Sequence, residues 1–305
     1  MAARATRSAS REARATEAVA TGPLGALSHD ELGVIVDGLA DPLQPVVAVA
    51  LSSTCLGLRT PLQAVLGVLK ERHERAAALC FKVKMSCAEL LCAEELGYRA
   101  YNAGLTASDM ATLGMILRTN GLPRLMQLSL FMQNIGDAGM QALCGGLGRG
   151  AAPSLQQVDF RKNELGPAGA EALAAALSKG AMPRLVRVQL SRNPIGKQGV
   201  AALAAPLRKL PAVESLSLGF CEIGDEGVTS LVANLGKDDF KKLEDLYLTG
   251  NQITDTGAAT LVAALDVAGL PALDLLFWAG NRCSQTAYQV GDDALARAQA
   301  RRASS

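Results

Sequence analysis

Residues 155–177 read LQQVDFRKNELGPAGAEALAAAL, and residues 185–207 read LVRVQLSRNPIGKQGVAALAAPL. Laid together, they pair Leu155 with Leu185, Val158 with Val188, Phe160 with Leu190, Asn163 with Asn193, and Leu165 with Ile195. Gly169, Leu173 and Leu177 then pair with Gly199, Leu203 and Leu207. The frame returns at Leu243, Leu246, Leu248, Asn251, Ile253, Gly257, Leu261 and Leu265. Successive turns start at Leu125, Leu155, Leu185, Val213, Leu243 and Leu273, with separations of 30, 30, 28, 30 and 30 residues. A constant period of this length marks stacked structural repeats.

Each unit has two physical halves. The L-x-L segment alternates with period two and predicts a short strand with one buried face. The G-x-x-x-L-x-x-x-L segment has four-residue spacing and predicts a helix that buries one stripe. Strand and helix in alternation give parallel strands joined by helical crossovers. Strands pack about 4.8 Å apart, whereas helices need about 8–10 Å. The stack must therefore curve, with strands concave and helices convex. The expected fold class is an α/β solenoid, a curved horseshoe preceded by a small α-helical region.

The asparagine after the strand supplies donors and an acceptor to backbone groups buried where the chain turns away. Asn163, Asn193, Asn251 and Asn281 fill that slot, while Gln133 and Cys221 replace it in two turns, which are expected to be weaker. An earlier, degenerate turn shows in Leu105, Leu113 and Leu117. In the last turn Trp278 takes a leucine slot and Cys283 the isoleucine slot. This predicts a cap in which Trp278 covers the open core beneath a final helix around residues 292–300. Over residues 96–290 the pattern resembles the leucine-rich repeats of the ribonuclease-inhibitor type.

Residues 24–95 leave the frame. Leu32, Ile35, Val36 and Leu39 have helical spacing, Pro42 and Pro45 then break the chain, and further helices are expected to residue 95. Such helices could cap the open amino end of the array. Residues 27–59 also resemble an F-box, with Leu27, Asp30, Leu32, Ile35, Val36 and Leu39 in its first half and Leu51, Ser52, Cys55 and Arg59 in its second. Ser28 stands where that family has proline and Leu58 where it has tryptophan. The resemblance implies a Skp-type adaptor as partner, with Leu32, Ile35, Val36, Leu39 and Leu51 as its contacts. The organisation expected is a disordered tail over 1–22, a helical F-box-like or capping region over 23–95, repeats over 96–290, and a terminal helix and tail over 291–305.

Composition narrows the function. The 305 residues are 49% hydrophobic and 19% charged with a net charge of +1, which gives no general electrostatic case for nucleic acid or an anionic membrane. The apolar runs are too short to span a bilayer. Seven cysteines without a Cys-x-x-Cys pair fit buried thiols in a reducing compartment, so a cytoplasmic or nuclear location is expected. Arg4, Arg7, Arg11 and Arg14 would share one helical face, but Glu12 and Glu17 interrupt any presequence pattern.

The only histidines, His29 and His73, lie outside the repeats, and no Ser/His/Asp or Cys/His arrangement assembles. Cys80, Cys87 and Cys92 cluster near His73, although small apolar side chains on helices explain them as well. The glycine-rich run at 144–150 follows a helix, whereas a dinucleotide loop precedes one. Acidic pairs such as Asp225-Glu226 and Asp238-Asp239 are expected at solvated repeat edges. Neither enzyme activity nor a cofactor or metal is expected.

The expected function is non-catalytic protein binding on the concave face. Its expected contacts are Gln127, Phe131, Gln157, Asp159, Arg161, Arg187, Gln189, Arg192, Tyr247 and Phe277, a basic middle followed by an aromatic end. Two family resemblances imply alternatives. One is an F-box substrate receptor of a cullin-based ubiquitin ligase. The other is a Ran-type GTPase activator, although this chain ends ARAQARRASS where those proteins carry an acidic run.

Overall fold

The computed structural model describes residues 34, 41–46, 50, 56–97, 103–120 and 122–304, with backbone only for 56–65 and 120. The expected tail over 1–22 and the adaptor contacts Leu32, Ile35, Val36, Leu39 and Leu51 lie outside the described residues.

The chain divides into two compact units, Met1–Ala77 and Ala78–Ser305. In the first, residues 41–44 make a tight turn in which Gln44 N–H donates to the Asp41 carbonyl at 3.0 Å. The Asp41 carboxylate accepts Leu43 N–H at 2.8 Å, a short-range device that sets turns. His73 Nδ1–H donates to the Pro42 carbonyl at 2.8 Å. Helix α1 (Leu56–Lys82) starts in this unit.

The second unit is the solenoid. Helix α2 (Cys87–Cys92) opens on Ser86, whose hydroxyl accepts Glu89 N–H while Glu89 returns the bond to Ser86 N–H, satisfying two end donors at once. Then come β1 (Glu95–Leu96), α3 (Ala107–Asn120), β2 (Gln127–Ser129), α4 (Gly136–Cys144), β3 (Gln157–Asp159) and α5 (Pro167–Ser178). Next are β4 (Arg187–Gln189), α6 (Gly196–Arg208), β5 (Ser215–Ser217), α7 (Gly224–Val232), β6 (Asp245–Tyr247), α8 (Asp255–Asp266), β7 (Leu275–Phe277) and α9 (Gln285–Ala303). The strands form one seven-stranded sheet in chain order, and every pair is parallel. The degenerate turn is β1 with α3, its Leu96, Leu113 and Leu117 at most 2% exposed. The terminal helix, expected to begin near 291–292, begins at Gln285.

Leucine repetition makes one continuous spine. The three strand-side apolar positions of the turns starting at Leu125, Leu155, Leu185, Val213 and Leu243 are all at most 2% exposed. Burying each such side chain contributes about 1.5–3 kcal/mol before chain entropy is charged against it.

The buried asparagines tie each turn to the one before. Asn163 Oδ1 accepts Gln133 N–H at 2.9 Å, Asn193 Oδ1 accepts Asn163 N–H at 2.8 Å, and Asn251 Oδ1 accepts Cys221 N–H at 2.8 Å. Their Nδ2 groups donate backward to carbonyls, Asn193 to Phe160 at 2.8 Å and Asn251 to Leu218 at 2.7 Å. Cys221 breaks this ladder. Its thiol reaches the Leu190 carbonyl at 3.4 Å, but it has no amide oxygen to offer. Leu165 N–H finds Asn193 Oδ1, yet the equivalent Ile195 N–H turns onto the Asn193 carbonyl at 2.7 Å.

One expectation about the acidic pairs is corrected. Asp225 is not merely solvated: it accepts Thr254 N–H at 2.7 Å and the Thr254 hydroxyl at 2.6 Å, holding from the preceding turn the residue whose hydroxyl caps α8 at Thr256 N–H. Asp137 caps α5 directly, accepting Gly166 and Gly169 N–H at 2.7 and 2.8 Å. Helix starts carry unsatisfied N–H groups and a positive dipole end, so a carboxylate from a neighbour serves as a cap. Asp239 is 5% exposed and holds Gly236 N–H and Lys209 Nζ.

Candidate functional site

The parallel register arranges the sheet's outward side chains in rows that cross the turns. One row holds Gln127, Gln157, Arg187, Ser215, Asp245 and Leu275, each paired with the next. The second holds Ser129, Asp159, Gln189, Ser217, Tyr247 and Phe277. Alternation along each three-residue strand turns both rows away from the leucine core. Phe131, Arg161, Ser191, Gly219, Thr249 and Ala279 continue the face just past the strands.

A further row, just before the asparagine slot, has backbone in the left-handed region: Met132, Lys162, Arg192, Phe220, Gly250 and Gly280 have φ of 59, 55, 62, 57, 68 and 72°. Glycine accepts this conformation freely, whereas a side-chain-bearing residue pays about 1–2 kcal/mol. Four turns nevertheless place large side chains there.

The structure joins several expected contacts into pairs. Arg161 lies over the Phe131 ring at 5.2 Å from its centroid and makes a two-pronged ion pair with Asp159, at 2.9 and 2.6 Å. Hydrogen bonding to Asp159 raises the Arg161 pKa. Lys162 Nζ approaches the same ring at 5.6 Å. Arg192 stands over Phe220 at 4.7 Å. Phe220 lies on the bare backbone of Gly250, where a Cβ would come within 2.5 Å of the ring. Tyr247 and Phe277 stack with centroids 4.8 Å apart and planes 4° from parallel. That separation matches the distance between neighbouring strands, so the register itself holds the stack.

Exposure sorts the expected contacts. Gln127, Arg187, Arg192 and Phe277 are exposed, whereas Phe131, Gln157, Asp159, Arg161, Gln189 and Tyr247 are half-buried. Leu275 and Phe220, 44% and 48% exposed, extend the apolar end of this face. Strand alternation in the sequence already places Leu275 on this face and Phe220 beside its aromatic end, while the turn conformation of Phe220 is set by the structure. Between the basic and aromatic turns lies β5, whose Ser215 and Ser217, followed by Gly219, form a floor of small residues. Ser191 Oγ fixes the floor's edge by accepting Gly219 N–H at 2.9 Å.

The remaining chemistry-bearing residues are placed elsewhere. Cys80 is buried, Cys92 is exposed, and among the described residues no group of three or more His, Cys, Asp or Glu could hold a metal ion. The glycine-rich run follows α4, as the pattern predicts. Among the described residues no helix is long and apolar enough to cross a membrane.

Comparison with a family model agrees with this repeat geometry. Four segments, residues 151–174, 183–204, 210–232 and 241–262, match the family model described as Leucine Rich repeat. The fold is a leucine-rich-repeat solenoid. In this solenoid the matched segments are the turns built on β3, β4, β5 and β6. A solved structure of the Rad7 and Elc1 complex in yeast is similar over 77% of this chain and 69% of that one, at 12% identity and a TM-score of 0.36. No curated protein matches the chain.

Proposed function

We propose that this leucine-rich-repeat solenoid is a non-catalytic scaffold that binds a protein partner on its strand-lined face. The observation that carries the reading is the Tyr247–Phe277 stack, which stands beside exposed Leu275 on the strand-lined face. Aromatic and arginine side chains held in a rigid register lose little entropy on docking and are enriched at binding hot spots. Gln127, Phe131, Gln157, Asp159, Arg161, Arg187, Gln189, Arg192, Tyr247 and Phe277 are its proposed contacts. Affinity capture from the native cell tests this with paired variants. Arg187→Glu combined with Tyr247→Ala should remove bound proteins that survive Glu171→Lys on helix α5. Identical capture by both variants would reject the concave face as the binding surface.

A second reading, a substrate receptor of a cullin-based ubiquitin ligase, is supported by the F-box resemblance of residues 27–59. It predicts co-purification with a Skp-type adaptor that is lost on Leu32→Asp with Ile35→Asp. Absence of an adaptor from the unmodified protein rejects it. The Ran-type activator reading predicts faster GTP hydrolysis by a purified small GTPase, and unchanged rates remove it.

A further inference from the structure

We infer that the partner engages this face through an extended acidic peptide segment with an aromatic or large aliphatic anchor a few residues away. The inference rests on the scaffold reading and names the chemistry of what is bound.

Charge complementarity comes first. Lys162, Arg187 and Arg192 are exposed on this face, and no ion pair of theirs occurs among the described residues. Arg161 differs, since Asp159 already neutralises it. Carboxylates flank the strip: Glu214 adjoins Arg187, its N–H bonded to the Val186 carbonyl at 2.9 Å, Glu244 and Asp245 stand at the start of the following strand, and Glu164 and Glu222 follow two residues after the left-handed row. The basic strip is therefore narrow and confined to the turns of β3 and β4. Three cations suit a few carboxylates on one segment. A nucleic acid backbone, with a charge at every residue, calls for a broader basic surface.

The apolar half follows from the register. Arg187 pairs with Ser215, Ser215 with Asp245, and Ser217 with Tyr247. Tyr247 thus lies two strands beyond Arg187 and two residues along, a separation of about 12 Å. An extended peptide covers that distance in about four residues. The floor it crosses is Ser215, Ser217 and Gly219, whose small side chains leave room for a backbone. An anchor beyond that floor meets the Tyr247–Phe277 stack and Leu275. Two other segments of this sequence are disfavoured as occupants by charge, because Arg4, Arg7, Arg11 and Arg14 mark one and Arg297, Arg301 and Arg302 the other.

The test uses the full chain and a fluorescein-labelled peptide, Glu-Asp-Glu-Ala-Ala-Phe-Leu, read by anisotropy. Controls are the same peptide with Lys-Arg-Lys in front, one with Ser-Ser behind, and a labelled oligothymidylate. The acidic, anchored peptide should bind at least about tenfold more tightly than each control and weaken steeply with salt. Arg187→Glu with Arg192→Glu should abolish binding, and Arg187→Lys with Arg192→Lys should retain most of it. If the glutamate pair melts early, Arg187→Gln with Arg192→Gln takes its place. Equal binding of the basic peptide or the oligothymidylate overturns the inference. So does salt-independent binding, or binding indifferent to both the glutamate and the glutamine pair. If the peptide fails while Tyr247→Ala still removes captured proteins, the acidic assignment falls and the scaffold reading survives. Loss of both effects removes the two together.

Discussion

The Tyr288 hydroxyl accepts the backbone N–H of Asn281 at 2.9 Å, taking the place that the next turn's asparagine would fill. Tyr288 belongs to α9, so the terminal helix closes the ladder with a side chain of a different kind. The Trp278 indole meets the Tyr288 ring edge-on at 4.9 Å and seals the last core position. Terminal repeats need such covers because nothing stacks on their outer side.

Tyr288→Phe should therefore destabilise the array by about 1 kcal/mol, the cost of one unsatisfied bond. Gly291→Ala should cost more, since its Cβ would lie 2.3 Å from the Trp278 ring. Urea unfolding followed by Trp278 fluorescence measures both. An unchanged midpoint for Gly291→Ala would show that α9 does not seat on the indole.

The asparagine slot should show graded costs. Asn251→Ala leaves the Leu218 and Leu248 carbonyls and the Cys221 N–H without their partner. A loss of about 3 kcal/mol or more is expected from several buried groups left unpaired. Cys221→Ala removes only weak thiol contacts and should cost about 1 kcal/mol. Equal losses in chemical denaturation would mean that the thiol does the work of an amide.

Acid should loosen the turn that precedes β6. Hydrogen bonds from Lys209 Nζ and Gly236 N–H hold the Asp239 carboxyl below its ordinary 3.8. Its contribution to stability is present above that value and is lost as pH falls through the lower, folded-state value. Asp239→Asn should flatten the fall in melting temperature below about pH 4. A variant whose acid profile superimposes on the parent's would assign the loss to other carboxylates.

Thiol reactivity should separate by depth. Burial pushes the Cys144 and Cys221 thiols up to about 12, and burial, with Cys87 beside it, does the same for Cys80. A thiolate-selective reagent should label exposed Cys92 in the native protein and reach Cys80, Cys144 and Cys221 only on unfolding. The experiment is done with Cys55→Ser, because that residue lies outside the described positions. Rapid native labelling of Cys221 would mean that its turn opens.

The sequence by itself determined the solenoid. Period-two and four-residue spacings repeat in phase, and each turn covers its neighbour, so the leucines of the inner turns are dry while Leu276 in the last strand is only half-buried. The asparagine role and the placement of Trp278 as a cover were legible for the same reason. What only the tertiary structure decided lies between turns. Asp225 reaches Thr254 across 29 residues, and Arg192 meets Phe220 because both residues adopt a left-handed backbone. Neither relationship has a local signature: a side chain's partner one turn away depends on how turns twist and stack, and that geometry exists only once the chain has closed on itself.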